Sequence, residues 1–372
     1  MTYEKLIDYK GLELQKTDEA DDDILALLNE TVIGAEGGMQ YSMQNIRAKI
    51  MAYGSGIYFF TLHRKNNLVG VIGMCRRFTT TDGRVYSSTH LRYLSVKPAF
   101  QTESAIIPRE TGYHFKESFK HRVFSLFSKP YYLSEGADES GEKHVMYAYV
   151  ESKNERSKNL INQAGYEYIR SFLTVAFSRF NPRKDSRVSK LAPADYPLMK
   201  EKLGEFYSNY CLYTDEFNFF NDRYYVLREG GEIVAGVSVI PTSYRVINIP
   251  GVWGWLLMKV MPKSPYLKRL FRPGEFRYLV LSAIYCSKGK EVLLPDLFDA
   301  VCAEENFNTA LTWLDDHSDL YQSLRTNRRM GTLNRLLNAK PGLVYASFTN
   351  ISAEEKDRFY DSPVYISGFD FS

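Results

Sequence analysis

The stretch YAYVESKNERSKNLINQAGY, Tyr147 to Tyr166, places the carboxylate of Glu151 where alternating large residues give way to a helix-start pattern. A carboxylate there can take a proton from an amine, directly or through water. The default reading is simpler, a solvated charge at a helix N-terminus, which the helix dipole favours by itself. His114 and His121 share one face of a predicted helix but have no carboxylate or cysteine partners in sequence, so they read as surface or packing residues. The cysteines Cys75, Cys211, Cys286 and Cys302 form no CxxC pair, which predicts free thiols and neither a zinc site nor a disulfide framework. No metal is expected. Val252 to Arg272 mixes Trp253, Trp255, Leu256, Leu257 and Met258 with Lys259, Lys263, Lys268, Arg269 and Arg272. That mixture suits a membrane surface or a lipid acyl chain. Pro262 and Pro265 interrupt any long amphipathic helix, so a buried strand and helix in an interdomain core is the expectation.

The elements that must position these residues follow from the pattern around them. Asp21 to Asp23 precede Ile24, Leu25, Leu27 and Leu28 at helical spacing, and a second helix is predicted from Met43 to Ala52. Ile57 to Leu62 and Leu68 to Met74 read as a hairpin turning at Lys65, Asn66 and Asn67. A strand from Ser88 to Val96 stops at Pro98, and a helix is expected from about Gly112 to Phe127. His144 to Val150 is a strand, Ser152 with Glu155 makes a capping-box pattern, and Gly165 is placed to end the helix that follows. Tyr166 to Phe180 closes the unit as one or two strands, before the charged linker NPRKDSRVS, Asn181 to Ser189.

Beyond the linker the plan recurs. Gly236, Ser318 and Gly331 stand at one common offset from Gly70, Ser152 and Gly165, and Arg277-Tyr278-Leu279 echoes Arg92-Tyr93-Leu94. An internal duplication is expected, with domains at residues 1–182 and 187–372. The length of 372 residues agrees with two domains. The aromatic share of 15%, from 28 Tyr and 23 Phe, suits half-buried strands and points to substantial sheet. The charge of +3 is too small to mark a nucleic-acid protein, so any anionic ligand must be met by local charge. Met1 is followed by TYEKLIDYKG, without an apolar signal core, and no window reaches the ~18 apolar residues of a membrane span. A cytoplasmic protein is expected.

The strand His90 to Val96, its exit LSVKPAFQ and the Tyr147 to Tyr166 stretch resemble the GNAT superfamily of acyl-CoA-dependent N-acyltransferases. The resemblance implies an α+β, three-layer αβα fold: two tandem GNAT-like domains, each a mixed, mostly antiparallel sheet flanked by helices. In that family the central strand bulges away from its neighbour and binds the pantetheine arm, which here implies Leu94, Ser95 and Val96. The pyrophosphate loop, Q/R-x-x-G-x-G/A in the family, falls on Gln101, Thr102, Glu103, Ser104, Ala105 and Ile106. It keeps the glutamine but replaces both small positions, and Glu103 puts a negative charge near the phosphates. The second half's counterpart, Cys286 to Glu291, keeps Gly289 and adds Lys288 and Lys290. Asn154 and Ser157 match the asparagine and small residue after the fifth strand. Ile161 stands where many members carry the tyrosine that protonates the departing thiolate, leaving Tyr149 or Tyr166 as substitutes, and Glu151 is the candidate base.

The function implied is acetyl transfer from acetyl-CoA, or another acyl-CoA, to a primary amine on a small molecule or peptide, by direct attack without a covalent enzyme intermediate. Two rivals stand beside it. One is a non-catalytic acyl-CoA or protein binding module, given the degenerate loops. The other is an aminoacyl-tRNA-dependent transferase, which needs a basic RNA channel that +3 does not supply.

Overall fold

The computed structural model describes residues 3–34, 37–44, 46–97, 119, 123–124, 141–336 and 340–372. The loop from Gln101 to Ala105, His114 and His121 lie outside the described residues.

Local turn chemistry makes the first reversals of the chain. Lys10–Gly11, Lys65–Asn66, Asp82–Gly83 and Gly230–Gly231 each place two successive residues at positive φ. Two-residue turns of this hand match the twist of the strands they join, and Gly, Asn and Asp adopt them at least cost. They connect β1 (Glu4–Tyr9) to β2 (Leu12–Thr17), β4 (Ile57–Arg64) to β5 (Asn67–Thr81), β5 to β6 (Arg84–Val96), and β10 (Tyr224–Glu229) to β11 (Glu232–Asn248). The other strands are β3 (Gln40–Met43), β7 (His144–Glu151), β8 (Glu167–Ser178), β9 (Val188–Lys190), β12 (Phe276–Cys286), β13 (Thr309–Asp315) and β14 (Gly342–Thr349).

One sheet holds them, in the order β1-β2-β4-β5-β6-β7-β14-β8-β13-β12-β11-β10-β9, with β3 paired to the far end of β11. The pairs β6–β7 and β12–β13 are parallel and the other pairs are antiparallel. This is the mixed, mostly antiparallel sheet flanked by helices that the sequence implied.

The sheet does not divide between β8 and β9. β14 pairs along its whole length with β7, from Gly342↔Glu151 to Thr349↔His144, and on its other side with β8. β8 in turn pairs with β13, from Thr309↔Ser178 to Asp315↔Phe172. The last strand of each half is therefore inserted into the strand set of the other. The seam is tight: a Cβ on Gly342 would lie 2.2 Å from the Phe172 ring.

Helices cover both faces. The helix Asp22–Glu30 starts where Asp21 accepts a hydrogen bond from the Ile24 amide, and it buries Ile24, Leu25, Leu27 and Leu28. The helix Ile46–Ala52 begins later than its sequence suggests because Gln40–Met43 is drawn out as β3. The helix Glu155–Gln163 is capped by Asn154, not Ser152: Asn154 Oδ1 accepts from the Ser157 amide at 3.0 Å, and Gly165 follows its end at φ +83°. In the second half Ser318 caps the helix Asp319–Thr326, so the matching caps are Asn154 and Ser318. Both residue types accept well at an N-cap, which is why identity alone misaligned them. The segment expected as a buried strand and helix is instead a chain of short helical turns, Gly251–Trp255, Leu256–Val260, Met261–Lys263 and Leu267–Arg269. Met261, Leu270 and Phe271 are buried there, while Val252, Trp255 and Tyr266 are exposed.

Candidate functional site: two bulged strands, one closed

β6 and β7 pair from Ser87↔His144 to Leu91↔Ala148 and then part, so Arg92–Val96 and Tyr149–Glu151 diverge. At the same level the register of β6 with β5 jumps from Gly73↔Arg92 to Val71↔Ser95. Tyr93 and Leu94 together face Ile72, a bulge of one extra residue, with Tyr93 at φ +59°. A bulge turns backbone groups out of the ladder and re-aims the strand. Leu94 stands 47% exposed beside buried Ser95 and half-buried Val96. All three lie on the strand where the sequence placed the donor's arm.

The second half repeats this geometry. β12 and β13 pair at Leu279↔Ala310 and Val280↔Leu311. The register of β12 with β11 jumps between Ser238↔Ser282 and Gly236↔Tyr285, with Ala283 at φ +45°. The bulges equate Tyr93 with Ala283, so the echo of Arg92-Tyr93-Leu94 in Arg277-Tyr278-Leu279 is not the structural correspondence.

The two bulges differ in what fills them. The Ala283 carbonyl accepts from Tyr224 Oη at 3.0 Å and the Ile284 carbonyl from Tyr207 Oη at 2.7 Å. Val364 N donates to Asp315 Oδ2 and Gly368 N to Ser282 Oγ, each at 2.9 Å, which lays the chain's final segment into the opening. The remaining void, about 10 Å³ and lined by Tyr207, Tyr210, Trp313 and Tyr365, suits about one water. Asp315 ends β13 as Glu151 ends β7, and Arg170 holds it through Nε at 2.9 Å and Nη2 at 2.8 Å. At the first bulge, no side chain among the described residues donates to the Tyr93 or Leu94 carbonyl.

Around that first bulge, Tyr149 lies between His90, Phe172 and Phe371, stacked on Phe371 at 5.5 Å. Burial pushes its hydroxyl pKa well up, so it stays protonated. Side-chain alternation puts Glu151 on the face of β7 that carries Tyr147 and Tyr149. Tyr166 clusters with Met146, Ala148 and Val150 on the opposite face, as does Ile161, which removes Tyr166 from the set around Tyr149. Asn154 Oδ1 is used as the cap to Ser157, so that pair has a structural role of its own.

Sequence reasoning missed a buried charge cluster on the Tyr149 face. Arg77 Nη1 and Nη2 grip both oxygens of Asp370 at 3.1 and 2.9 Å, with both side chains fully buried. Burial alone would raise the Asp370 carboxyl, but Arg77 and His90 hold it well below its ordinary value. Tyr53 Oη reaches Asp370 Oδ1 at 3.3 Å and accepts from Arg92 Nη1 at 2.5 Å. Lys49 Nζ lies 5.5 Å from the centre of the Tyr244 ring, and burial, with help from Arg92, brings its pKa down to about 7. Lys49 Nζ, Arg92 Nη2 and Tyr93 Oη are buried without hydrogen-bond partners among the described residues. The available signal was Arg77 and Arg92 on strands whose neighbours read as core; Lys49 reads as the polar face of a short helix. Among the described residues no group of three His, Cys, Asp or Glu could hold a metal, and no helix is long and apolar enough to cross a membrane.

No family model matches the chain, and no curated protein matches it. Among solved structures it is similar to Saccharomyces cerevisiae N-myristoyltransferase with bound myristoyl-CoA, at 11% identity and a TM-score of 0.55, covering 95% of this chain and 88% of that one. A second structure of that enzyme, with myristoyl-CoA and inhibitors, gives a TM-score of 0.54 over 97% and 87%. The chain has the GNAT fold. A GCN5-related N-acetyltransferase from Anabaena variabilis is similar at 11% identity, with a TM-score of 0.46 over 90% of this chain and 72% of that one. In GNAT terms, the bulged strands are β6 and β12, and the parallel partners that part from them are β7 and β13.

Proposed function

We propose that the chain is an acyl-CoA-dependent N-acyltransferase whose donor lies in the first half, against Leu94, Ser95 and Val96. The observation that carries this reading is the contrast between the two bulges. The second is capped by Tyr207 and Tyr224 and filled by Val364–Gly368, whereas the first parts from β7 with Leu94 exposed. The likeness to an enzyme crystallised with myristoyl-CoA supports a thioester donor and adds long acyl chains to acetyl-CoA as candidates. The halves 1–182 and 187–372 are read as duplicated units that share one sheet.

In the reaction, the acceptor amine attacks the thioester carbon, a C–N bond forms and the C–S bond breaks. Backbone amides freed at the bulge polarise the carbonyl oxygen as it gains charge. Glu151 takes the amine's proton, and the thiolate leaves as thiol after taking a proton from Tyr149 or water. Gln101, Thr102, Glu103, Ser104 and Ala105 are assigned to the pyrophosphate, and Asn154 and Ser157 to the pantetheine side. The acceptor is a primary amine on a small molecule or peptide.

The experiment is a thermal-shift series with CoA, acetyl-CoA and longer acyl-CoAs, followed by thiol release over an amine panel. A ligand at 100 times its Kd adds about 2.7 kcal/mol, an easily read shift. Absence of any shift overturns the reading. Binding without thiol release supports the non-catalytic rival.

A further inference from the structure

The surface between β11 and β12 differs in charge from the rest of the chain. Between Glu232 and Glu275 the sequence has no Asp or Glu, yet it carries Arg245, Lys259, Lys263, Lys268, Arg269 and Arg272. Elsewhere in this half Lys184, Arg187, Arg228 and Lys290 all sit in ion pairs. Lys259, Lys263, Lys268, Arg269 and Arg272 make none among the described residues. All five are exposed.

The apolar residues of the same segment divide by side. Met261, Leu270 and Phe271 are buried, and Leu257, Met258 and Leu267 pack against the core, so the segment is anchored to the sheet. Val252, Trp255 and Tyr266 point the other way, at 82%, 61% and 68% exposure. Through the consecutive turns from Gly251 to Lys263, Val252, Trp255, Lys259 and Lys263 recur at helical spacing on one face. Exposed Trp and Tyr beside Lys and Arg that make no ion pair among the described residues match a bilayer interface, where the ring sits at headgroup level and the cation meets lipid phosphate.

We propose that this face, Val252 to Arg272, docks the protein onto a membrane surface bearing anionic lipids. Trp255, Val252 and Tyr266 enter the headgroup layer, while Lys259, Lys263, Lys268, Arg269 and Arg272 supply the attraction. The proposal is independent of the acyl-transfer reading.

The test is co-sedimentation of the full chain with phosphatidylcholine vesicles, with and without phosphatidylglycerol, at low and high salt. The expected result is pelleting with the anionic vesicles, release by salt, and a blue shift of tryptophan emission on binding. Lys259→Glu with Lys263→Glu should weaken binding by at least about 25-fold, since each cation near such a surface is worth about fivefold. Trp255→Ser with Val252→Ser should also release the protein, and circular dichroism should be unchanged because these side chains are exposed. Failure to pellet with anionic vesicles overturns the proposal, as does equal binding to both vesicle types or variants that pellet like the wild type. Heparin binding without vesicle binding would assign the patch to a soluble polyanion and also overturn it.

Discussion

Replacing Lys49 by Met should stabilise the protein, and by an amount that depends on pH. The amine is closed off beside the Tyr244 ring, with no hydrogen-bond partner among the described residues, and its pKa falls from 10.5 to about 7. At about 1.36 kcal/mol per pH unit, that fall sets a ceiling of roughly 5 kcal/mol on the cost of the buried charge. The ring's attraction and the partly open stem reduce it, so about 2 kcal/mol is the expected gain for Lys49→Met. The sign follows from proton uptake. Between about pH 7 and 10.5 the unfolded chain holds the lysine proton and the folded chain does not, so the wild type gains stability as pH rises through that window. The variant lacks this term. Its advantage should be largest below pH 7 and vanish above 10.5. Urea midpoints of both proteins at several pH values across the window read it directly. A gain independent of pH, or a loss of stability near neutrality, would refute the account of Lys49 as a strained, unpaired amine.

Asp370→Asn leaves the Arg77 guanidinium buried without its counter-charge and should cost about 3–5 kcal/mol by chemical denaturation; an apolar replacement of both residues together should recover much of it. Gly342→Ala drives a methyl group into the Phe172 ring where β14 meets β8, and should lower stability by about 1–3 kcal/mol; an unchanged melting temperature would show that the seam has slack. Glu151→Gln should lower kcat for thiol release by a factor of about 10² to 10⁴ with little effect on acyl-CoA affinity. Unchanged release, with a large loss in Tyr149→Phe, would move the proton chemistry to the tyrosine. Residues 1–182 made alone should not fold, because β7 and β8 lack the β14 that lies between them; a cooperative melt of that fragment would contradict the interleaving.

Local signals made much of the first half legible. The Asp21 cap, the apolar face of Ile24 to Leu28, the turn at Lys65–Asn66, and the Gly165 helix end all depend on neighbours in sequence. β1, at the sheet edge, and β2 beside it escaped because they bury little: Ile7 and Leu14 are the buried apolar residues between them, so no alternation shows. Alternation tells a strand which side faces the core but not which strand lies beside it, and so β8 could be seen while its pairing with β14 could not. The bulged strand was found through residues resembling GNAT members. Its counterpart was misplaced because a bulge is a backbone event, and Tyr93 and Ala283 share a positive φ but no side-chain chemistry. Asp370, in SGFDFS, has no pattern of apolar neighbours in sequence that marks it as buried.

The interleaved sheet sets a timetable for synthesis. When β8 has emerged at Ser178, β7 and β8 each present an unpaired edge toward the place of a strand that begins only at Gly342. At ~5–20 residues per second the ribosome needs roughly 10 to 30 s to deliver it. For that interval the nascent chain exposes Val145, Tyr147 and Phe172 beside open backbone donors and acceptors, a template for pairing with another chain. Holdase capture or slow, concentration-dependent loss of newly made chains is therefore a property of the order in which the strands are translated, and a circular permutant that brings β14 out ahead of β7 should lessen both.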